Sequence, residues 1–306
     1  MDTKSSSSQR KQNLEALLRL AVENTGKNDE GSTTISCETD AKRNDFLQGA
    51  LQSINADSSL QDALLILKSE STNIQQKLDS LNVIRDKIDD IDHANSLVKV
   101  GGISIILQLI KIPDYNLRPN AICIVAEMSQ NNEFCQKYFY NEHLIPVLTS
   151  TMNDGDDFLG RSSIFAVSSL IQNFSPGLNE FLRINGIRSL VSCLNSKHDS
   201  VYIRAAFLIA SLASNISAVR ELIYKENAVS ILLGNLENKN EYDNKLESTL
   251  SALSALSTNF NWSTTQKQNA QAQTILKQLV GNKQLLEECE EMVNFARNIL
   301  NNMTKK

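Results

Sequence analysis

Apolar and polar positions along this chain fall into a rhythm with a period near 42 residues. A turn followed by an apolar run recurs at Gly101-Gly102-Ile103-Ser104-Ile105-Ile106-Leu107, Glu142-His143-Leu144-Ile145-Pro146-Val147-Leu148, Asn185-Gly186-Ile187-Arg188-Ser189-Leu190-Val191 and Asn227-Ala228-Val229-Ser230-Ile231-Leu232-Leu233. The first apolar residues of these runs, Ile103, Leu144, Ile187 and Val229, are 41, 43 and 42 apart. A basic residue then opens a longer helix rich in small and apolar side chains, at Arg118, Arg161, Arg204 and Lys245, with spacings of 43, 43 and 41. Each of these helices closes on an asparagine, at Asn131, Asn173, Asn215 and Asn259. Asparagine suits a helix end because it tolerates the left-handed conformation. Three landmarks in phase over four units define a helical repeat protein. An incomplete unit, led by Lys77-Leu78-Asp79-Ser80-Leu81, precedes the four, so the stacked array is expected over about residues 58 to 261.

The period lies in the range of the HEAT and armadillo classes. A break before each short helix, and Ala and Ser in the longest one, favour armadillo. The expected fold is an all-α, armadillo-like helical repeat solenoid flanked by an N-terminal helix and a C-terminal capping helix. Residues 1–44 read as a largely flexible segment carrying one short amphipathic helix at 13–24, with Leu14, Leu17 and Leu18 on its apolar face. Phe46, Leu47, Leu51 and Ile54 suggest a second short helix at the start of the array, which spans 45–262. In 263–306 a Gln/Asn-rich linker leads to a capping helix in which Leu286, Cys289, Val293 and Ala296 keep helical spacing.

Composition supports long helices with short connections, since only four prolines and eleven glycines occur in 306 residues. A net charge of −5 disfavours a general nucleic-acid binder, whose footprint is basic. No apolar run is long enough to span a bilayer, and the opening MDTKSSSSQRKQN has no apolar core of the kind a secretory signal carries. Five cysteines without CxxC spacing fit reduced thiols in the cytosol or nucleus. The sequons at Asn215, Asn261 and Asn302 read as chance matches in that setting.

Chemistry-bearing patterns are few. His93, His143 and His198 follow no metal-ligand spacing, and His143 stands at a repeat start where another unit has glycine, which points to a turn. No P-loop, GxGxxG or GxSxG is present. Asp154, Asp156 and Asp157 around Gly155 lack the twelve-residue ligand pattern of a calcium loop. The expectation is therefore no enzyme, no cofactor and no metal. A solenoid works through the long surface made by equivalent helices. The basic series Arg118, Arg161, Arg204 and Lys245 either solvates an edge of that surface or serves an acidic partner. Cations at helix N-termini oppose the macrodipole, which slightly favours the second reading.

Three segments resemble one family, the cytosolic armadillo-type nucleotide exchange factors of the seventy-kilodalton heat-shock chaperones. Asp89-Asp90-Ile91-Asp92-His93-Ala94-Asn95-Ser96 is similar to its E-N-x-D-N-A-x-D segment, with His93 in place of Asn. Leu117 to Asn132 is similar to its L-R-x-x-A-x-x-I-G-x-x-x-Q-N-N, and Leu14 to Val22 to its opening L-x-x-L-L-x-x-A/S-I. The linker after residue 25 departs from the family's glycine-rich character, and residues beyond about 262 match loosely. The resemblance implies a monomer that clasps one lobe of the chaperone's ATPase domain, displaces the other and releases ADP. The charge and the lack of a long apolar run add the expectation of no nucleic-acid and no membrane partner. The resemblance also implies partner contacts at Ala94 and Arg204, then at Arg118 and Asn131. Arg161 falls one residue off the family's basic site, where Ser162 aligns. Family members use their N-terminal segment to expel substrate, which assigns that task here to Leu14, Leu17 and Leu18. The rivals are an importin- or catenin-like peptide adaptor, which usually carries Trp and Asn ladders, and the lumenal relatives of the same exchange-factor group, which need a signal peptide.

Overall fold

The computed structural model describes residues 58–99, 101–258, 262 and 264–304. The expected helix at 13–24 with Leu14, Leu17 and Leu18, the short helix around residues 46–54, and Asn259 all lie outside them. Among the described residues all regular structure is helical. The array opens with α1 (Ser58–Lys68) and α2 (Ile74–Ile88). Triplets of helices follow. The first is α3 (Ile91–Lys99), α4 (Ile103–Lys111) and α5 (Leu117–Ser129). The second is α6 (Glu133–Asn141), α7 (Leu144–Thr151) and α8 (Asp157–Ile171). The third is α9 (Ser175–Arg183), α10 (Gly186–Ser192, continued by a 3-10 turn Cys193–Asn195) and α11 (Asp199–Asn215). The fourth is α12 (Ser217–Lys225), α13 (Ala228–Gly234) and α14 (Asn244–Ser257). The last is α15 (Gln266–Gly281), α16 (Lys283–Glu288) and α17 (Glu290–Thr304).

The third helix of each triplet is the spine. In α5, Ala121, Ile122, Cys123, Ile124, Val125 and Ala126 are all buried in succession. A helix apolar nearly all round must be covered on most sides. It is: α2 packs on α5, α5 on α8, α8 on α11, α11 on α14 and α14 on α17. Alanine and serine on these helices let neighbouring backbones approach. Ser163 on α8 shows how the hydroxyls are satisfied, bonding the Leu159 carbonyl at 2.7 Å. The first helices of the triplets are amphipathic instead. In α9 only Gly177 and Phe181 are buried.

In the first four triplets a single left-handed residue links the first helix to the second. Gly101, His143, Asn185 and Asn227 have φ of 75°, 55°, 58° and 62° and stand 42 apart without variation. Each donates its N–H to the carbonyl three residues back, at Val98, Tyr140, Leu182 and Tyr224. That bond ends the first helix, and the left-handed turn starts the second. His143 is thus the turn residue the sequence suggested. After Asn185 the chain also needs a glycine, because a Cβ on Gly186 would stand 2.3 Å from the Phe181 ring.

Two expectations are corrected. The helix-closing asparagines are left-handed at Asn131 (φ 50°) and Asn173 (φ 55°), but Asn215 is not among the positive-φ residues. It is the last residue of α11, and the chain passes through extended Ile216 straight into α12, so no left-handed link is needed. The Gln/Asn-rich stretch is also helix rather than linker from Gln266. Thr265 and Gln268 form a capping box there, and Ala272, Leu276 and Leu279 bury one stripe.

Candidate partner-binding face

The exposed sides of the long helices α2, α5, α8, α11 and α14 form one continuous face. Counted from the left-handed residue of its own unit, Arg118 stands at +17, Arg161 at +18, Arg204 at +19 and Lys245 at +18. One residue is 100° of rotation on a helix. Arg161 and Lys245 therefore share one register, Arg118 stands one residue before it and Arg204 one after, and the members meet different surroundings.

Arg118 is partly buried, and its Nε has no hydrogen-bond partner. Arg161 pairs with Asp157 of its own helix at 3.7 Å and lies over the Phe158 ring at 4.5 Å. Lys245 reaches across to Asp199 at 2.8 Å and lies over Tyr202 at 5.0 Å. Arg204 is different. Its guanidinium lies 5.1 Å over the Phe165 ring of α8, and among the described residues it makes no ion pair. Burial, and then the positive charge of nearby Arg161, lower its pKa below the ordinary arginine value. It is a cation held in place by an aromatic ring, with no carboxylate among the described residues paired to it.

At the N-terminal end of the face a cleft of ≈820 Å³ is lined by Arg85, Asp86, Ala94, Glu127, Asn131 and Phe165, among others. Arg85 of α2 donates through Nε and Nη2 to the Glu127 carboxylate of α5, with Nε 3.0 Å from Oε2. This fork braces two successive long helices. The cleft brings together two of the expected contacts, Ala94 and Asn131, and leaves Arg118 outside its lining. Ala94 is only 1% exposed and belongs to the floor, so a large side chain there would disturb packing whether or not a partner is bound.

Local structure accounts for the Gln130-Asn131-Asn132 motif. Gln130 is extended, Asn131 is left-handed, and Asn132 caps α6 by accepting from the Cys135 N–H. Asn132 also donates to Asn95 at 3.0 Å, tying the turn to α3. Gln172-Asn173-Phe174 repeats the same geometry one unit later.

Sequence reasoning missed two side chains on this face. Phe165 supports Arg204, and Phe207, three residues after Arg204 on α11, is 68% exposed. Both keep the 42-residue spacing from Cys123, and that signal was present. An apolar residue in phase reads as core until a structure shows which way it points. The remaining chemistry is quiet. Among the described residues no cluster of His, Cys, Asp and Glu is fit to hold a metal ion, and no single helix is long and apolar enough to cross a membrane. Burial pushes the thiols of Cys135 and Cys193 up to about 12.

Residues 14–97 match a family model described as nucleotide exchange factor Fes1. The chain is similar to Fes1-type exchange factors. The Hsp70 nucleotide exchange factor FES1 of Coccidioides immitis is 24% identical over 140 residues, which are 45% of this chain and 66% of that protein. The Hsp70-binding protein 1 of Rattus norvegicus is 22% identical over 144 residues, 46% of this chain and 40% of its own length. The chain thus spans less than two thirds of the length of these Fes1-type relatives. A designed armadillo repeat protein superposes with a TM-score of 0.62 at 18% identity, covering 80% of this chain and all of that one. This likeness carries the armadillo fold.

Proposed function

We propose that this chain is a nucleotide exchange factor for a cytosolic chaperone of the seventy-kilodalton heat-shock class. The observation that supports the reading most is the Fes1 match over residues 14–97, joined in one chain to an armadillo array. In this reading the long-helix face holds one lobe of the chaperone's ATPase domain and displaces the other. The nucleotide cleft opens, ADP leaves, and ATP binding then frees the substrate. The chain acts as a monomer, without cofactor and without catalysis of its own, and with neither nucleic acid nor membrane as partner. Its compartment is the cytosol, extending to the nucleus.

The physical requirement is differential affinity, since a factor that binds open and closed domains equally moves nothing. Shifting an equilibrium from 1:99 to 99:1 takes about 5.5 kcal/mol of preference for the open form. An interface of about 1,600 Å² in total is large enough to supply it. The coupling is reciprocal, so nucleotide must weaken the chain's grip by the same factor. Arg204, Arg161 and Arg118 belong to the contact face in this reading, Asn131 and Ala94 to its cleft, and Leu14, Leu17 and Leu18 to the segment that displaces substrate.

Loading a purified chaperone with fluorescent ADP, adding this protein with excess unlabelled nucleotide and following dye release tests the reading. Acceleration at micromolar protein is expected, and a rate equal to the spontaneous one overturns it. A peptide-holding adaptor is less well supported. Trp262, the chain's one tryptophan, is buried and donates to the Leu256 carbonyl at 3.0 Å, so it offers no stacking surface to a peptide.

A further inference from the structure

We propose that Phe207, with Arg204 beside it, is the anchor of the chaperone contact and takes a surface on the ATPase domain that pairs an apolar socket with a carboxylate. The inference rests on the exchange-factor reading above and adds the residues that carry its affinity.

Phe207 is the most exposed of the large apolar side chains among the described residues, at 68%, and it stands at the middle of a long helix rather than in a loop. Its exposure follows from register. Phe165, at the equivalent position one unit earlier, is covered by Arg204, which lies 39 residues further on. Thirty-nine residues after Phe207 comes Leu246, which is buried and faces the core. The neighbouring cation, Lys245, turns instead to Tyr202 and Asp199. Phe207 is therefore left uncovered because the residue at the covering position is Leu246, which turns to the core, while the cation stands one residue earlier and faces elsewhere.

The surroundings leave room for a partner. Exposed positions on α11 run Arg204, Phe207, Ser211, Ser214, and α14 beside it presents half-buried Ser248, Ser251 and Ser254. An aromatic ring stands above a floor of small hydroxyl residues, with one unneutralised guanidinium a turn away. Aromatic side chains and arginine are the groups enriched in the cores of protein interfaces. The charge sets the complement: Arg161 and Lys245 already have carboxylates in reach, whereas among the described residues Arg204 and Arg118 make no ion pair, and of these two Arg204 stands beside Phe207.

The test uses the full chain and a full-length, nucleotide-free chaperone, with affinity measured by titration calorimetry and exchange by dye release. Phe207→Ala should weaken binding by at least about tenfold, as a central anchor does, with an unchanged unfolding midpoint because the ring is largely in solvent. Arg204→Gln should weaken binding about fivefold and flatten its dependence on salt. Lys245→Ala, whose charge is already paired, should stay within about twofold. If the unaltered protein accelerates ADP release and Phe207→Ala binds within about threefold of it, the anchor is wrong and the exchange function stands. If the unaltered protein neither binds nor accelerates release, both fall.

Discussion

Asn185 and Asn227 hold left-handed backbone with exposed side chains that make no capping bond. A residue with a Cβ but no short polar group costs about 1–2 kcal/mol in this conformation. Asn185→Ala should accordingly lower stability by about 1 kcal/mol, while Asn185→Gly should leave it near the original value, both read from urea unfolding. Equal loss in both variants would place the cost elsewhere. Cysteine reactivity separates side chains in the same way. Cys135 and Cys193 are buried with thiols pushed up to about 12, and Cys289 is half-exposed. Alkylation of the native protein at pH 8 followed by peptide mapping should mark Cys289 and spare the other two until the chain unfolds. Labelling of Cys193 in the native state would contradict its place in the core. At this level the sequence was partly legible. Asn131 and Asn173 could be read as left-handed closers because their neighbours repeat. Asn215 could not, because the extra length of α11 that makes its turn unnecessary is a property of the whole helix.

The long helices were the most readable elements, since a run such as Ala121 to Ala126 is apolar on every side and must be enclosed. The C-terminal triplet was the least readable. Glutamine and asparagine between Gln266 and Gln278 hide a sparse stripe of Ala272, Leu276 and Leu279 that becomes a core face only when α17 is there to receive it. That triplet covers α14 as each earlier long helix is covered by the next. A chain ending at residue 262 should unfold at lower temperature and self-associate at high concentration. It uncovers leucines on the flank of α14, each worth about 1.5–3 kcal/mol when enclosed. An unchanged midpoint, with monomers by light scattering, would show that α14 closes the array unaided.

Across the whole molecule, the long helices stack into one face, braced at its N-terminal end by Arg85 with Glu127. The resemblance in three short segments suggested the partner class proposed above. The proposed anchor needed the structure, because exposure of Phe207 depends on where a side chain from the next unit lands. Interrupting the brace by Glu127→Gln should leave the helices folded. It should slow ADP release through a looser face, by about two- to fivefold if the pair contributes about 0.5–1 kcal/mol at its half-exposed position. Unaltered release would assign the pair to the fold alone.

The invariant 42-residue pitch of the left-handed residues has a consequence for how such a chain can change. These four links have left-handed backbone and the same closing bond, so one unit can be removed or duplicated between two of them without inventing a new turn. Reach along the partner then becomes a matter of copy number, inherited in whole steps. The proposed anchor is not modular in this sense: it depends on which residue stands thirty-nine positions further on, and an arginine in place of Leu246 that reached back as Arg204 does would cover it.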